Sequence, residues 1–200
     1  MQIIQGQVRD ARTTRQILDR WLEELQPGAV GWLGGTYGIT DDGMLVACVR
    51  FASAEDARRN SERPEQSVWW KDMEACFSGP ITFHDCEDVT LLLGGGSDQA
   101  GFVQVMQGRL TDRTKMHELI ERSGPLLQAY RPDVLGATIA ISDDGTITET
   151  VAFRSESEAR AAEATPMPAE VSDLVEEEMS LFDDLHYLDL HQPWFATARR

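Results

Sequence analysis

The stretch richest in side chains that could do chemistry is Asn60-Ser61-Glu62-Arg63-Pro64-Glu65-Gln66-Ser67-Val68-Trp69-Trp70. An aromatic pair beside an amide and a guanidinium can wall a flat organic molecule, because π faces stack and polar groups fix orientation. The same residues have plainer uses. Trp69 and Trp70 at helical spacing suit a core, Asn60 suits a helix C-terminus, and Arg63 suits a surface ion pair. Both readings stay open at this level.

His84 is the second candidate, as an acid or base, because imidazole titrates near neutrality. An ordinary hydrogen-bonded histidine is the alternative. Neighbouring strand residues point to opposite faces, so His84 can share a face with Cys86 but not with Asp85. Zinc needs three or four converging ligands, and neither His nor Cys recurs at such spacing, so no metal is expected. His186 and His191, five apart, land on opposite faces of a strand. Cys48, Cys76 and Cys86 are odd in number and form no CxxC pair, which reads as buried, reduced thiols. Gly94-Gly95-Gly96 lacks the following Lys-Ser/Thr of a phosphate loop and reads as a linker. Glu176-Glu177-Glu178 reads as a solvated helix face.

The elements that must position these residues occur twice. Leu33 to Gly43 followed by Met44 to Phe51 is matched by Leu135 to Gly145 followed by Thr146 to Phe153. In both, Asp-Asp-Gly joins two β-branched, apolar runs, a strong signal for a tight hairpin. Gly43 aligns with Gly145, a shift of 102 positions that needs no gap from about Ile3 to Arg58. At the same shift His84 falls on His186.

Around the hairpins, Ile3 to Val8 and Phe102 to Leu110 read as first strands. Thr13 or Thr14 can cap a helix with the stripe Ile17, Leu18, Trp21, Leu22 and Leu25. In the copy, Gly124-Pro125 should break or kink the corresponding helix. Ser53 with Asp56, and Ser155 with Glu158, fit the capping pattern of a further helix. A second helical stretch carries Trp69, Trp70, Met73, Cys76 and Phe77. Ile81 to Cys86 and Leu185 to Leu190 read as the closing strands.

Each repeat thus runs strand, helix, strand, strand, helix, strand, the ferredoxin-like βαββαβ order of an α+β fold with a four-stranded antiparallel sheet. Leu45, Ala47, Val49 and Phe51 share one face of the hairpin strand and Val46 and Cys48 the other, so neither face reads as solvated. Two repeats packed sheet against sheet would cover both. The expected division is 1–93 for the first repeat, 94–101 for a Gly-rich linker and 102–200 for the second repeat. Val89 onward, with Leu91-Leu92-Leu93, reads as strand before linker.

A net charge of −16 would repel a phosphate backbone, which argues against nucleic acid and anionic membranes as partners. The apolar runs are too short to span a bilayer. Met1 leads straight into strand-like Gln2-Ile3-Ile4, so a secretory signal is not expected and the cytoplasm is the default location.

The internal repeat and the element order resemble the dimeric α/β barrel superfamily, duplicated in tandem so that one chain makes its own pseudo-dimer, an intrachain α/β barrel. Within it the chain looks most like the antibiotic-biosynthesis-monooxygenase type. Members of that type use a pocket between sheet and helices. Some oxidise aromatic polyketides without metal or flavin, and others degrade haem. Asn60 with Trp69 or Trp70 resembles the Asn and Trp lining that pocket, with Tyr37 and Arg50 as strand-borne partners and Arg63 beside them. The resemblance implies a hydrophobic or aromatic small molecule as partner, no resident cofactor, and a cofactor-independent monooxygenase acting on an aromatic or quinone-forming substrate. The alternative is a non-catalytic binding or interaction protein of the same fold. A homodimer beyond the internal pairing stays open.

Overall fold

The computed structural model describes residues 1–198. The chain begins with β1 (Gln2–Gln7) and α1 (Ala11–Glu24), passes a turn at Gln26–Gly28, and enters the hairpin β2 (Trp32–Ile39) and β3 (Met44–Phe51). Two helices, α2 (Ala54–Ser61) and α3 (Pro64–Glu74), precede β4 (Thr82–Asp85) and β5 (Asp88–Leu92). The second set is β6 (Phe102–Leu110), α4 (Arg113–Tyr130), β7 (Val134–Ile141), β8 (Thr146–Phe153), α5 (Glu156–Glu163), α6 (Ala169–Met179), β9 (Phe182–Leu190) and β10 (Trp194–Thr197).

The ferredoxin-like order is present twice, but each antiparallel sheet has five strands where four were expected. The first runs β10-β2-β3-β1-β4 and the second β5-β7-β8-β6-β9. Both sheets are open, ending in edge strands. The added strands are exchanged along the sequence: β5, which follows β4, pairs with β7, and β10, which follows β9, pairs with β2. The chain accordingly divides into two compact units, Met1–Glu87 with the chain from Trp194, and Asp88–Pro193. These limits differ from the expected 1–93, 94–101 and 102–200, and the glycine run lies inside the second unit.

Two repeated glycines make room for the exchange. Gly34 has φ +141°, and a Cβ on it would sit 2.5 Å from the carbonyl oxygen of Ala196 in β10. At the equivalent Gly136, a Cβ would sit 1.6 Å from the Gly95 carbonyl oxygen. Any side chain would push the incoming segment away. The glycine run read as a linker therefore packs against β7.

Local chemistry explains most boundaries. Ser53 Oγ accepts from the Asp56 amide at 3.1 Å and Ser155 Oγ from the Glu158 amide at 3.2 Å, the expected caps of α2 and α5. For α1 the cap is Asp10, whose carboxylate accepts from the Thr13 amide at 2.7 Å, so the helix starts earlier than the threonines suggested. Pro125 does not break α4. Its missing N–H leaves the Glu121 carbonyl without a helical donor, on an exposed face where water can satisfy it.

The register corrects the histidine equivalence. His84 pairs with Ile3, whereas His186 pairs with Gln107, the repeat of Gln5. The 102-residue shift holds through α2 and α5, but α6 starts 105 positions after α3, because a longer connection precedes it. Trp69 and Trp70 thus correspond to Leu174 and Val175.

Candidate active site

In the first unit, β3 turns Leu45, Ala47, Val49 and Phe51 toward the helices, opposite the buried Val46 and Cys48. The helices do not fill the space above them. A cavity of about 470 Å³ remains between the sheet and α1, α2 and α3. Its floor is Ile4, Tyr37, Leu45, Ala47, Val49 and Phe51, its helical walls include Leu18, Trp21, Asn60, Gln66, Trp69, Trp70 and Met73, and Phe83 and Trp194 close its sides. The side chains lining it that carry charge near neutral pH are Lys71 and Glu74, both exposed.

The aromatic walls are held by directed contacts. Trp69 donates through Nε1 to the Ile17 carbonyl at 2.8 Å, tying α3 to α1, and Trp21 donates to Gln66 Oε1 at 2.6 Å. Trp21 meets Trp69 edge-on at 6.4 Å, Trp69 meets Trp70 at 6.0 Å, and Trp70 meets Phe83 at 5.4 Å. Trp194 stacks on Tyr37 at 6.0 Å with Arg15 over its ring at 4.9 Å. Its indole Nε1 is buried without a hydrogen-bond partner among the described residues, an arrangement that costs free energy until an acceptor arrives.

Asn60 is buried and lines the cavity. Arg63 Nη1 donates to Asn60 Oδ1 at 3.0 Å and to the Leu25 carbonyl at 3.0 Å, while its Nε meets Glu65 at 3.0 Å. Because a guanidinium only donates, the contact fixes the amide with Oδ1 toward Arg63 and leaves Nδ2 as the donor for a ligand. Burial raises the Tyr37 phenol above its ordinary range, so it stays neutral. Burial likewise pushes the Cys48 thiol up to about 12, which makes it an unreactive thiol. All three cysteines are buried and free.

Of the residues singled out from the sequence, Asn60, Trp69, Trp70 and Tyr37 converge on this cavity. Arg63 lies behind Asn60 as a support. Arg50 and His84 do not join them. Arg50 alternates with the cavity-lining Val49 and Phe51, and His84 alternates with the cavity-lining Phe83, so both fall on the opposite face of the sheet. His84 as the acid or base of this site is therefore corrected: the pleat turns its ring away.

Trp21, Gln66, Phe83 and Trp194 were missed. Trp21 reads as one more apolar residue in the α1 stripe, and Trp194 falls in the expected second repeat, whereas β10 pairs with β2 of the first unit. The glutamate run is also corrected. Glu177 meets Lys115 at 3.2 Å and Arg122 at 3.1 Å, and Glu178 turns inward, so only part of the run is a solvated face. Elsewhere Glu156, Asp189 and His191 bring ligand-type atoms within 4.8 Å of one another. Arg160 already meets Asp189 at 2.8 Å and Glu156 at 3.5 Å, which makes the trio part of an ion-pair network.

The fold is that of ferredoxin-fold proteins related to antibiotic-biosynthesis monooxygenases, in duplicated form. A putative monooxygenase from Lactobacillus acidophilus NCFM matches with TM-score 0.72 at 12% identity, over 98% of this chain and 94% of that one. An anthrone oxidase-like protein matches with TM-score 0.68 at 9% identity, over 100% of this chain and 93% of that one. A ferredoxin-fold protein from Listeria monocytogenes 4b F2365, related to antibiotic-biosynthesis monooxygenases, matches with TM-score 0.52 at 9% identity, over 100% and 96%. No protein-family model matches the sequence, and no curated protein is similar to it. No described helix is long and apolar enough to cross a membrane.

Proposed function

We propose that the first unit binds a flat aromatic small molecule in its helix-to-sheet cavity and oxidises it with molecular oxygen, as a cofactor-independent monooxygenase acting on an aromatic or quinone-forming substrate. The observation that carries this reading is the cavity itself, with Trp21, Trp69, Trp70, Tyr37, Phe83 and Trp194 around it and few polar groups. Stacking supplies affinity, and the donors Asn60 Nδ2, Tyr37 Oη and Trp194 Nε1 suit a carbonyl or phenolate oxygen. The monooxygenase and anthrone oxidase descriptions of the structural neighbours support the reaction class.

For an anthrone-type substrate the chemistry balances without a further reductant. A ring methylene becomes a carbonyl, one oxygen atom enters the product and the other leaves as water with the two methylene hydrogens. The protein's part is to hold the ring and, once a methylene proton has passed to solvent, to stabilise the charge on the substrate oxygen through the Asn60 amide; that proton is returned in the water formed. The free cysteines suit a reducing compartment such as the cytoplasm.

Anthrone titration followed by tryptophan fluorescence, with oxygen uptake recorded beside a protein-free blank, tests this. Saturable quenching with uptake above the blank is expected. Quenching without uptake would leave the non-catalytic binding protein standing, and absence of quenching would remove the cavity as an aromatic site.

A further inference from the structure

The cavity of the first unit has a second amide whose orientation the packing fixes. Gln66, in the first turn of α3, is half-buried and lines the cavity, and its Oε1 accepts from Trp21 Nε1 at 2.6 Å. An indole only donates, so this contact holds Oε1 against α1 and leaves Nε2 as the donor to spare. Among the described residues nothing accepts a hydrogen bond from Nε2. Trp21 is itself held in place: it is 7% exposed, with Trp32 edge-on at 5.5 Å and Trp69 at 6.4 Å. Asn60, in the last turn of α2, is set in the same way by the guanidinium of Arg63. Two carboxamides on either side of the α2–α3 junction thus give their carbonyl oxygens to donors of the protein and keep N–H groups for the cavity they line.

Satisfying a buried indole does not by itself call for an amide here, since Trp32 Nε1 and Trp194 Nε1 are buried without partners among the described residues. The repeat ties the arrangement to the large cavity. The 102-position shift sets Trp21 and Asn60 on Ser123 and Ala162, and the 105-position offset of α6 sets Gln66 on Val171. Ser123 and Val171 line the corresponding cavity of the second unit, which is only about 70 Å³ and has no carboxamide around it. That cavity carries instead Glu149 on β8, in hydrogen-bond contact with Glu178 on α6, a carboxyl pair that would repel an anion.

We propose that Gln66 Nε2 is the second donor, with Asn60 Nδ2, to the oxygen of the substrate anion, and that Trp21 is the residue that positions it. The assignment rests on the reading of this cavity as an oxidation site for an anthrone-type ketone. In the step concerned a methylene C–H bond breaks, the proton passes to solvent, and the electron pair is delocalised onto the ketone oxygen. That oxygen gains charge, so a donor already in place stabilises the anion more than the ketone. With their carbonyl ends held, neither amide can turn an oxygen toward the anion, and no ordering has to occur when charge develops.

Anthrone under argon ionises without being oxidised, and its anion absorbs at longer wavelength than the ketone. A pH titration of anthrone bound to the full chain therefore reads the ionisation, and tryptophan quenching below that titration reads the affinity of the ketone. Gln66→Leu should make the bound ligand about tenfold harder to ionise, the loss of one charged hydrogen bond, while ketone affinity falls by less. Trp21→Phe, which keeps a ring and removes the N–H, should move the ionisation in the same direction, and it serves as the second variant should Gln66→Leu fail to fold. Unchanged ionisation in a folded variant, with or without weaker ketone binding, would overturn the assignment of Gln66 and leave the reading of the cavity standing. Absence of quenching in the unaltered protein would overturn both.

Discussion

Adjacent tryptophans on α3 have different work to do. Trp69 is 7% exposed and bonds α1, whereas Trp70 is half-buried on the cavity wall. Trp69→Ala should cost about 3–5 kcal/mol in chemical denaturation, the range for large core truncations. Trp70→Ala should cost less, because it enlarges a space already open, yet it should weaken anthrone binding. Removing the Asn60 donor, as in Asn60→Ala, should weaken anthrone binding by about tenfold, whereas His84→Ala should leave it unchanged, which fluorescence titration of both variants checks. Glu149 gives the pH dependence its sign. Its carboxyl is raised, by burial first, above the ordinary 4.5. Such a group stabilises fully below the unfolded value and loses that contribution as pH rises through the folded value. The melting temperature should therefore fall as pH rises from about the ordinary 4.5 up through the raised value and level off beyond it, and Glu149→Gln should flatten the fall.

The exchanged strand β10 decides the shape of the first site. Its Trp194 pairs with Tyr37 in register and stacks on it, so the far end of the sequence closes a cavity built by the near end. Truncation after Pro193 should lower the melting temperature and abolish saturable anthrone quenching, since it removes both a sheet edge and a wall. The glycines that admit the exchanged segments lie in the repeated Leu-Gly pairs Leu33-Gly34 and Leu135-Gly136. They are visible in the sequence as part of the repeat, but their reason is not. The steric demand comes from Ala196 and Gly95, remote in the chain.

Across the molecule, all five tryptophans belong to the first unit, so intrinsic fluorescence reports on that unit. One equivalent cavity is about 470 Å³ and the other about 70 Å³, so native mass spectrometry of freshly purified protein should retain at most one drug-sized organic molecule per chain. Two would mean that the second cavity opens further than its packing shows.

The sequence by itself determined the duplication, the βαββαβ order, the hairpin turns and the serine caps, because each follows from periodicity or from contacts between residues close along the chain. It also marked Asn60, Trp69 and Trp70, which one helical pair carries. What it could not give were the exchanged strands, the side of the sheet on which Arg50 and His84 fall, and the meeting of Glu149 with Glu178. Those depend on strand register and on packing between distant segments, where a one-residue shift turns every side chain to the other face, and only the tertiary structure decides them.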